Sequence, residues 1–263
     1  MQTNFTQHYW HLRNHSEMKW NRTLILSVKL FHTSTVLHKI IPKSLKGKSK
    51  SSQDWLTRQL NDPYVKLAHQ EQFRARSAFK LMEIDDRYKI LQYGQVVVEC
   101  GASPGAWTQV AVSRVNSLPN DKYKRQGLII GIDLHTIHSL PGAIFLGGRD
   151  FTKQITQQQV LDILQGQKID VVLSDMAPNA SGTKKLDHEN IISLAYAAFR
   201  FAVENSADDA TFLCKIWAGF KDKDLVNDMK KFYGSVKTVK PPSSRSNSSE
   251  IFLLGRKFLG IKR

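Results

Sequence analysis

From residue 95 to the C-terminus, short apolar runs alternate with longer amphipathic stretches. Apolar runs of this length, bounded by glycine and polar residues, are typical of buried β-strands. Strands that alternate with helices favour an α/β fold whose mostly parallel sheet carries helices on both faces. The predicted strands cover residues 96–99, 127–133, 143–146, 169–175, 210–217, 236–239 and 250–254.

The stretches between these strands predict helices. Ala78, Leu81 and Met82 share one face of a helix within residues 74–84. We find no internal repeat and no second folded domain, so we place one domain at residues 51–263, after a linker rich in lysine and serine. The other predicted helices lie at residues 54–60, 107–112, 152–165, 188–205 and 222–233.

Residues 1–50 differ in composition from the rest, with nine basic residues and one acid, Glu17. Trp20, Leu24 and Val28 could line one side of a helix. A basic, acid-poor, amphipathic segment is typical of a mitochondrial transit peptide. A basic arm that binds RNA is the alternative, but it gives the apolar stripe no role. We therefore expect the protein in the mitochondrial matrix.

The net charge of +15 favours a polyanionic partner, and nucleic acid is the usual one. Cys100 and Cys214 lie in apolar runs and are expected to be buried, reduced thiols. Their spacing is not that of metal ligands. No apolar run is long enough to span a bilayer. We expect no metal, no membrane insertion and a monomer.

A glycine-containing turn follows the first predicted strand. Gly101 and Gly105 lie between Glu99, which ends that strand, and the helix that begins near Trp107. Glycine allows close approach of the backbone to a ligand, and a helix N-terminus offers free N–H groups. The spacing fits neither the dinucleotide fingerprint nor the P-loop. It predicts a small-molecule site, although an ordinary strand-to-helix turn would also fit.

Four acids stand at the ends of predicted strands: Glu99, Asp133, Asp150 and Asp175. In open α/β sheets, ligands bind beyond these ends, where an acid after the second strand commonly holds a ribose diol. Any one of them could instead cap a helix. The four together favour a binding site.

Several basic residues lie where they could contact a substrate or take part in catalysis. Arg74, Arg76 and Lys80 precede the turn, either on a solvated face or as contacts to a phosphate backbone. Lys215 interrupts the apolar run 212–216. A lysine can extend its amine from a strand edge to water, but the neighbours of Lys215 favour burial.

These blocks resemble the FtsJ/RrmJ family of ribose 2′-O-methyltransferases. The resemblance runs from about residue 53 to the C-terminus and is most specific in the Ser-Asp-Met-Ala-Pro-Asn block at 174–179. The ordered set Lys80, Asp175, Lys215 and Glu250 is similar to the family's catalytic pattern. Other matching blocks lie at 76–81, 97–107, 212–215 and 240–245. Glu99 replaces a commoner aspartate, and Ala106 a commoner glycine.

The resemblance implies a single Rossmann-like, S-adenosylmethionine-dependent methyltransferase domain with a seven-stranded sheet. The methionine part of the cofactor would lie over the turn, Asp133 would bind the ribose hydroxyls and Asp150 would reach the adenine. Trp107 is either a wall of the site or a packing residue, and the family favours the wall. The implied cofactor-binding residues are Glu99, Gly101, Pro104, Gly105, Ala106, Trp107, Asp133, Asp150 and Asp175.

The resemblance also implies roles for the basic residues. Lys80, Asp175, Lys215 and Glu250 would be catalytic, with Lys215 as the proton acceptor. Burial and the nearby ammonium of Lys80 would favour its neutral form, whereas the two acids would oppose it. The expected RNA contacts are Arg74, Arg76 and Arg245.

The expected activity is methylation of a ribose 2′-hydroxyl, on a uridine, in mitochondrial large-subunit rRNA or a pre-ribosomal particle. The resemblance is greatest to the mitochondrial branch of the family. The alternative is an RNA-binding assembly factor in which methylation is secondary or absent. The basic charge disfavours a small-molecule methyltransferase.

Overall fold

The computed structural model describes residue 47 and residues 49–115, 125–179 and 181–261. The predicted targeting segment therefore lies almost entirely outside the described residues, as does most of the polar loop predicted at 117–126. The chain divides into two units, Met1–Pro63 and Tyr64–Arg263. The first contains helix α1, Lys50–Leu60, where the Ser49 hydroxyl accepts a hydrogen bond from the Ser52 amide.

The second unit is built on a seven-stranded sheet with the order β3-β2-β1-β4-β5-β7-β6. Neighbouring strands from β3 to β5 are parallel, and β7 runs antiparallel to both β5 and β6. The strands are β1 Val96–Cys100, β2 Leu128–Asp133, β3 Ile144–Gly147, β4 Ile169–Ser174, β5 Ser206–Trp217, β6 Tyr233–Val239 and β7 Glu250–Phe258. The predicted α/β class with a mostly parallel sheet is confirmed.

After α1, the helices of the described residues either precede β1 or connect later strands of the sheet. They are α2 Pro63–Gln70, α3 Ala78–Tyr88, α4 Ala106–Val115, α5 Gln154–Leu164, α6 Lys184–Asn205 and α7 Asp222–Met229. The sequence did not predict α2. It also placed Tyr233 at the end of a helix, whereas this residue begins β6. Its buried ring lies 5.4 Å from the ring of Phe258 on the neighbouring strand β7.

Side chains of β1 alternate between two cores. Val96 and Val98 face a cluster that includes Ile191 and Phe199 of α6. Val97 faces the opposite cluster, which includes Leu81 of α3. Because both faces of the sheet are covered, its central strands are continuous apolar runs rather than alternating ones.

The order of the strands reverses between β1 and β4. From β1 the chain moves outward through β2 and β3, and then returns to the other side of β1 through β4 and β5. The carboxyl ends of strands flanking such a reversal leave a crevice in which α/β proteins bind ligands. Glu99 of β1 and Asp175, immediately after β4, stand at this point.

Candidate active site

The turn at residues 101–105, hereafter the cofactor turn, begins where β1 ends. The amides of Gly101 and Ala102 both donate to the carbonyl of Ile132, at 2.8 and 3.0 Å. Gly101 has a φ of +81°, and a Cβ there would lie 2.7 Å from the Met176 nitrogen. Glycine is therefore required at 101 because the turn packs against the backbone that follows Asp175.

Gly105 is required for a different contact. Its φ is +104°, and a Cβ would lie 2.6 Å from Nη1 of Arg74. The guanidinium of Arg74 donates to the carbonyls of Pro104 at 3.0 Å, His138 at 2.7 Å and Ser139 at 2.7 Å. Arg74, predicted to contact RNA, thus makes its hydrogen bonds with the protein's own backbone.

Glu99 is buried at the floor of the crevice. Its Oε2 accepts a hydrogen bond of 2.6 Å from the Thr108 hydroxyl on α4. Burial raises the pKa of Glu99 to about 8, and the charges of Asp175 and Asp133 add to this rise although the Thr108 bond opposes it. The predicted convergence of acids from β1, β2 and β4 is therefore present.

Asp133 joins the end of β2 to the cofactor turn. Its Oδ2 accepts from the Ser103 amide at 2.9 Å, and its Oδ1 accepts from the His135 amide at 2.8 Å. The His135 ring nitrogen Nδ1 lies 3.0 Å from the same Oδ1. A carboxylate has about four lone-pair sites, so Asp133 retains capacity for a ligand hydroxyl.

Asp150 lies after β3, where its Oδ1 accepts from the amide and the hydroxyl of Thr152, at 2.9 and 2.7 Å. The hydroxyl bond is the main reason that its pKa is lowered. Asp150 therefore closes a local turn, and it is Lys153 rather than Asp150 that stands at the N-cap of the following helix. Its free Oδ2 leaves the predicted adenine contact open.

The structure corrects the assignment of the Trp107 side chain to the cofactor site. Its indole is 1% exposed, packs against Phe252 with ring centroids 5.7 Å apart, and donates from Nε1 to the Ser77 carbonyl at 2.9 Å. Trp107 is thus a packing residue that joins α4 to β7 and to the start of α3. The methyl group of Ala106 is also buried, so only its backbone can serve a ligand.

The four residues predicted to be catalytic form two ion pairs. Nζ of Lys215 lies 2.8 Å from Oδ1 of Asp175 and donates to the Asp175 carbonyl at 2.7 Å. Nζ of Lys80 lies 2.7 Å from both carboxylate oxygens of Glu250. The side chains are 10–19% exposed, so each charge is largely removed from water and held by its partner.

The two ion pairs also act on each other. Burial by itself would raise the pKa of Glu250, but the charge and hydrogen bond of Lys80, the Ser244 hydroxyl bond and the charge of Lys215 together lower it. Oδ1 of Asp175 is buried and accepts no hydrogen bond from a described residue, beyond its ion pair with Lys215. A cationic ligand here would meet two carboxyl groups, of which Asp175 is already paired with Lys215 and Glu99 has a raised pKa.

Residues 240–245 form a loop beside the Lys80–Glu250 pair. Oε2 of Glu83 accepts from the amide and hydroxyl of Ser243, both at 2.8 Å, and Arg76 donates to the Ser243 carbonyl. The pKa of Arg76 is lowered by burial and then by the charge of Arg245. Two of the three arginines predicted to contact RNA therefore stand close together.

Sequence reasoning missed Glu83, Thr108 and Ser243. Glu83 lies three residues after Lys80, and residues at that spacing share a helix face, so the position of Lys80 could have indicated it. Thr108 follows Glu99 by nine residues across a turn, and nothing in the local pattern signals their contact.

A comparison with protein families matches residues 73–258 to the FtsJ-like methyltransferases. The chain belongs to this family. The match covers more than half of the sequence and contains both lysine–acid pairs, the cofactor turn and the sheet. The chain is therefore an FtsJ-like methyltransferase, as its motifs predicted.

The protein is also similar to two curated relatives. It is 51% identical over 219 residues to rRNA methyltransferase 2, mitochondrial, of Drosophila melanogaster, covering 83% of this chain and 88% of that protein. It is 46% identical to ribosomal RNA large subunit methyltransferase E of Ruegeria sp. (strain TM1040), covering 83% and 91%.

Among solved structures, the protein is similar to one from Plasmodium falciparum assigned as a ribosomal RNA methyltransferase. The TM-score is 0.63 at 29% identity, and the match covers 72% of this chain and 100% of that one. Within the described residues, no helix is long and apolar enough to cross a bilayer, and no cluster of three or more His, Cys, Asp or Glu side chains could hold a metal.

Proposed function

We propose that this methyltransferase transfers a methyl group from S-adenosylmethionine to the 2′-hydroxyl of a uridine in mitochondrial large-subunit rRNA. The observation that carries the proposal is the meeting of two partly buried lysine–acid pairs, Lys80–Glu250 and Lys215–Asp175, at the carboxyl edge of the sheet. Asp175 follows β4, next to the reversal of strand order, and the two pairs are close enough that the charge of Lys215 lowers the pKa of Glu250.

The cofactor side of the proposal rests on charge and backbone. When bound, S-adenosylmethionine supplies an electrophilic methyl group on a cationic sulfur. Glu99 and Asp175 would face its positive charges, and Asp133 would accept from its ribose hydroxyls. The backbone of the cofactor turn, with Gly101, Pro104, Gly105 and Ala106, would border its methionine part, and Asp150 would reach its adenine.

The residues of this chain perform two tasks in methyl transfer. They place the 2′-oxygen in line behind the methyl group, which is the larger contribution, and they receive the hydroxyl proton. Lys215 accepts that proton at Nζ in its neutral form, as the oxygen gains the methyl group. Asp175 fixes the position of Nζ, and the Lys80–Glu250 pair borders the same space.

Ribosomal RNA is the proposed substrate because both curated relatives are named for it. The chain's charge of +15 and the adjacent Arg76 and Arg245 fit a phosphate backbone. The mitochondrial matrix is the proposed location, since the Drosophila relative is named mitochondrial and residues 1–50 have the composition of a transit peptide.

An assembly factor without enzymatic activity remains the second reading from the sequence. Both ion pairs are complete here, with each lysine within 2.8 Å of its acid. A protein that only binds RNA has no evident need for two partly buried lysine–acid pairs, so the geometry favours the enzyme.

The proposal is tested by methyl transfer from labelled S-adenosylmethionine to large-subunit rRNA, supplied as naked RNA and as a pre-ribosomal particle. Product mapping should locate the label on a ribose 2′-oxygen of a uridine. Lys215→Ala should abolish transfer, and Arg200→Ala, an exposed residue on α6, is the matched control. Label on a base, or no label on either substrate with folded protein, would overturn the proposal.

A further inference from the structure

Arg74 lies directly in front of the cofactor turn, in the position expected of an RNA contact. Its guanidinium nevertheless donates to three backbone carbonyls on two segments: the turn itself and the β2–β3 loop, residues 134–143. We infer that Arg74 is a positioning residue that clamps these segments together and thereby sets cofactor affinity, an inference that rests on the proposed cofactor.

The geometry requires an arginine. A guanidinium presents donors in a rigid planar fork, whereas a lysine ammonium is a point charge on a flexible stem. Nη1 of Arg74 bridges the Pro104 and His138 carbonyls, and Nη2 reaches the Ser139 carbonyl. One lysine nitrogen could not occupy both positions, so the charge alone would not hold the two segments.

The backbone of Arg74 is anchored to the same region. Its amide donates to Oε1 of Gln109 at 2.8 Å, and Nε2 of Gln109 donates to the Gln72 carbonyl at 3.0 Å. Gln109 lies on α4, the helix that begins at the cofactor turn. The clamp is therefore fixed at one end to the element that it holds.

Gly105 supports the same reading. A Cβ at this position would come within 2.6 Å of the guanidinium, so glycine leaves the space through which Arg74 crosses the turn. A second, inner connection joins the same two segments, because Asp133 accepts hydrogen bonds from both Ser103 and His135. The cofactor turn and the β2–β3 loop are thus joined twice, once by Arg74 and once by Asp133, the residue predicted to bind the ribose.

A phosphate contact would make different demands on Arg74. Three of the five N–H groups of the guanidinium already donate to carbonyls at 2.7–3.0 Å, so a phosphate would be met by the N–H groups left on Nε and Nη2. The clamp and the phosphate contact therefore predict opposite results for cofactor binding and for the salt dependence of RNA binding.

The experiment compares the full chain with Arg74→Ala and Arg74→Lys. Calorimetry without RNA should show S-adenosylmethionine affinity roughly tenfold weaker in both variants, the effect of about one net hydrogen bond. Hydrogen exchange of the ligand-free protein should accelerate in residues 101–105 and 134–143. In turnover, KM for the cofactor should rise while kcat at saturation changes little. Arg200→Ala is the control.

The last measurement in this experiment is RNA affinity as a function of salt concentration. Arg74→Ala should leave the double-logarithmic slope unchanged, whereas loss of a phosphate contact makes it shallower by about one unit. Wild-type cofactor affinity in Arg74→Lys, or a shallower slope with unchanged cofactor affinity, would overturn the inference. Should Arg74→Ala fail to fold, Gln109→Leu, which removes the backbone anchor, is expected to give the same exchange and affinity changes.

This design separates the inference from the function on which it rests. If the wild-type protein does not bind S-adenosylmethionine, the proposed cofactor is wrong. Hydrogen exchange without ligand still decides whether Arg74 holds the two segments: unchanged exchange in the folded variants rejects the clamp.

Discussion

Individual acids at the sheet edge differ in what surrounds them. Glu99 is 1% exposed and hydrogen-bonded to Thr108, whereas the Asp133 and Asp175 side chains are 12% and 19% exposed. Position at a strand end thus predicted that these acids would meet. It did not reveal which of them is removed from water, because burial depends on the helix that packs above each strand.

Burial of Glu99 predicts a specific pH dependence of stability. Its pKa in the folded protein is about 8, against an ordinary value of 4.5. Between these values the folded state holds a proton that the unfolded state lacks, so the contribution of Glu99 to stability declines as pH rises, by up to about 1.4 kcal/mol per unit. Glu99→Gln cannot titrate and should gain stability relative to wild type across this range.

Urea unfolding of both proteins, from about pH 5 to about pH 9, measures this difference. Thr156→Val, which removes a different buried hydroxyl, controls for generic destabilisation. A difference in the free energy of unfolding that stays constant with pH would show that Glu99 is ionised in the folded protein throughout.

Lys215 leads to the second prediction at this scale. Lys215→Arg keeps the charge near Asp175, but a guanidinium does not release its proton in proteins. Single-turnover methylation at saturating RNA and cofactor should therefore be lost, although binding of both is retained. Lys237→Arg, on the exposed side of β6, should be neutral. A near-normal rate in Lys215→Arg would limit Lys215 to orienting the hydroxyl.

At the level of helices and strands, the prediction from sequence succeeded where apolar runs were continuous. The prediction failed where a strand is extended by backbone hydrogen bonds to its neighbour and not by apolar side chains. β5 begins at Ser206, four residues before its apolar run, because Ser206 pairs with Ile169 of β4. The family resemblance placed Trp107 in the site, and sequence spacing alone does not show which face of α4 meets β7. Gly101 and Gly105 lie in the predicted turn, but the atoms that require glycine there belong to Met176 and Arg74 rather than to a ligand.

The loop at 240–245 contacts the Lys80–Glu250 pair, because the Ser244 hydroxyl donates to Oε1 of Glu250 at 2.8 Å. Glu83→Ala would leave the buried amide of Ser243 without its acceptor, which costs about 1–3 kcal/mol of stability. RNA affinity should fall as well, since Arg245 belongs to this loop. Glu83→Gln keeps one acceptor and should lose less. Chemical unfolding and RNA binding, with the exposed Glu71→Ala as control, test both effects; unchanged values in Glu83→Ala would contradict them.

For the whole molecule, the net charge predicted a nucleic-acid partner but not which basic side chains would contact it. Of the three arginines predicted to contact RNA, Arg74 is bound to backbone carbonyls and Arg76 to the Ser243 carbonyl. The sequence could not show this, since all three acceptors of Arg74 and that of Arg76 are main-chain atoms, which no side-chain pattern reveals. The type of chemistry, by contrast, was predicted from a family resemblance that rests on the block at 174–179 and on the order of Lys80, Asp175, Lys215 and Glu250, and the family match confirms it.

Arg245, whose charge lies close enough to Arg76 to lower its pKa, carries the prediction for RNA binding. If it contacts a phosphate, Arg245→Gln should weaken rRNA binding and make the double-logarithmic salt slope shallower by about one unit. Arg200→Ala should leave the slope unchanged. An unaltered slope in a folded Arg245→Gln protein would assign Arg245 to the protein's own loop instead.

Residues 1–50 carry the last prediction, which concerns where the enzyme works. Nine basic residues and one acid, with an apolar stripe, are typical of a mitochondrial targeting segment. Fused to a fluorescent reporter, residues 1–50 should direct it to the mitochondrial matrix, and replacing Leu24, Ile25 and Val28 by serine should abolish import because the apolar face is lost while the charge is kept. An RNA-binding arm would depend on charge and tolerate that change. Diffuse reporter signal, or RNA affinity that falls when residues 1–50 are removed, would support the arm instead.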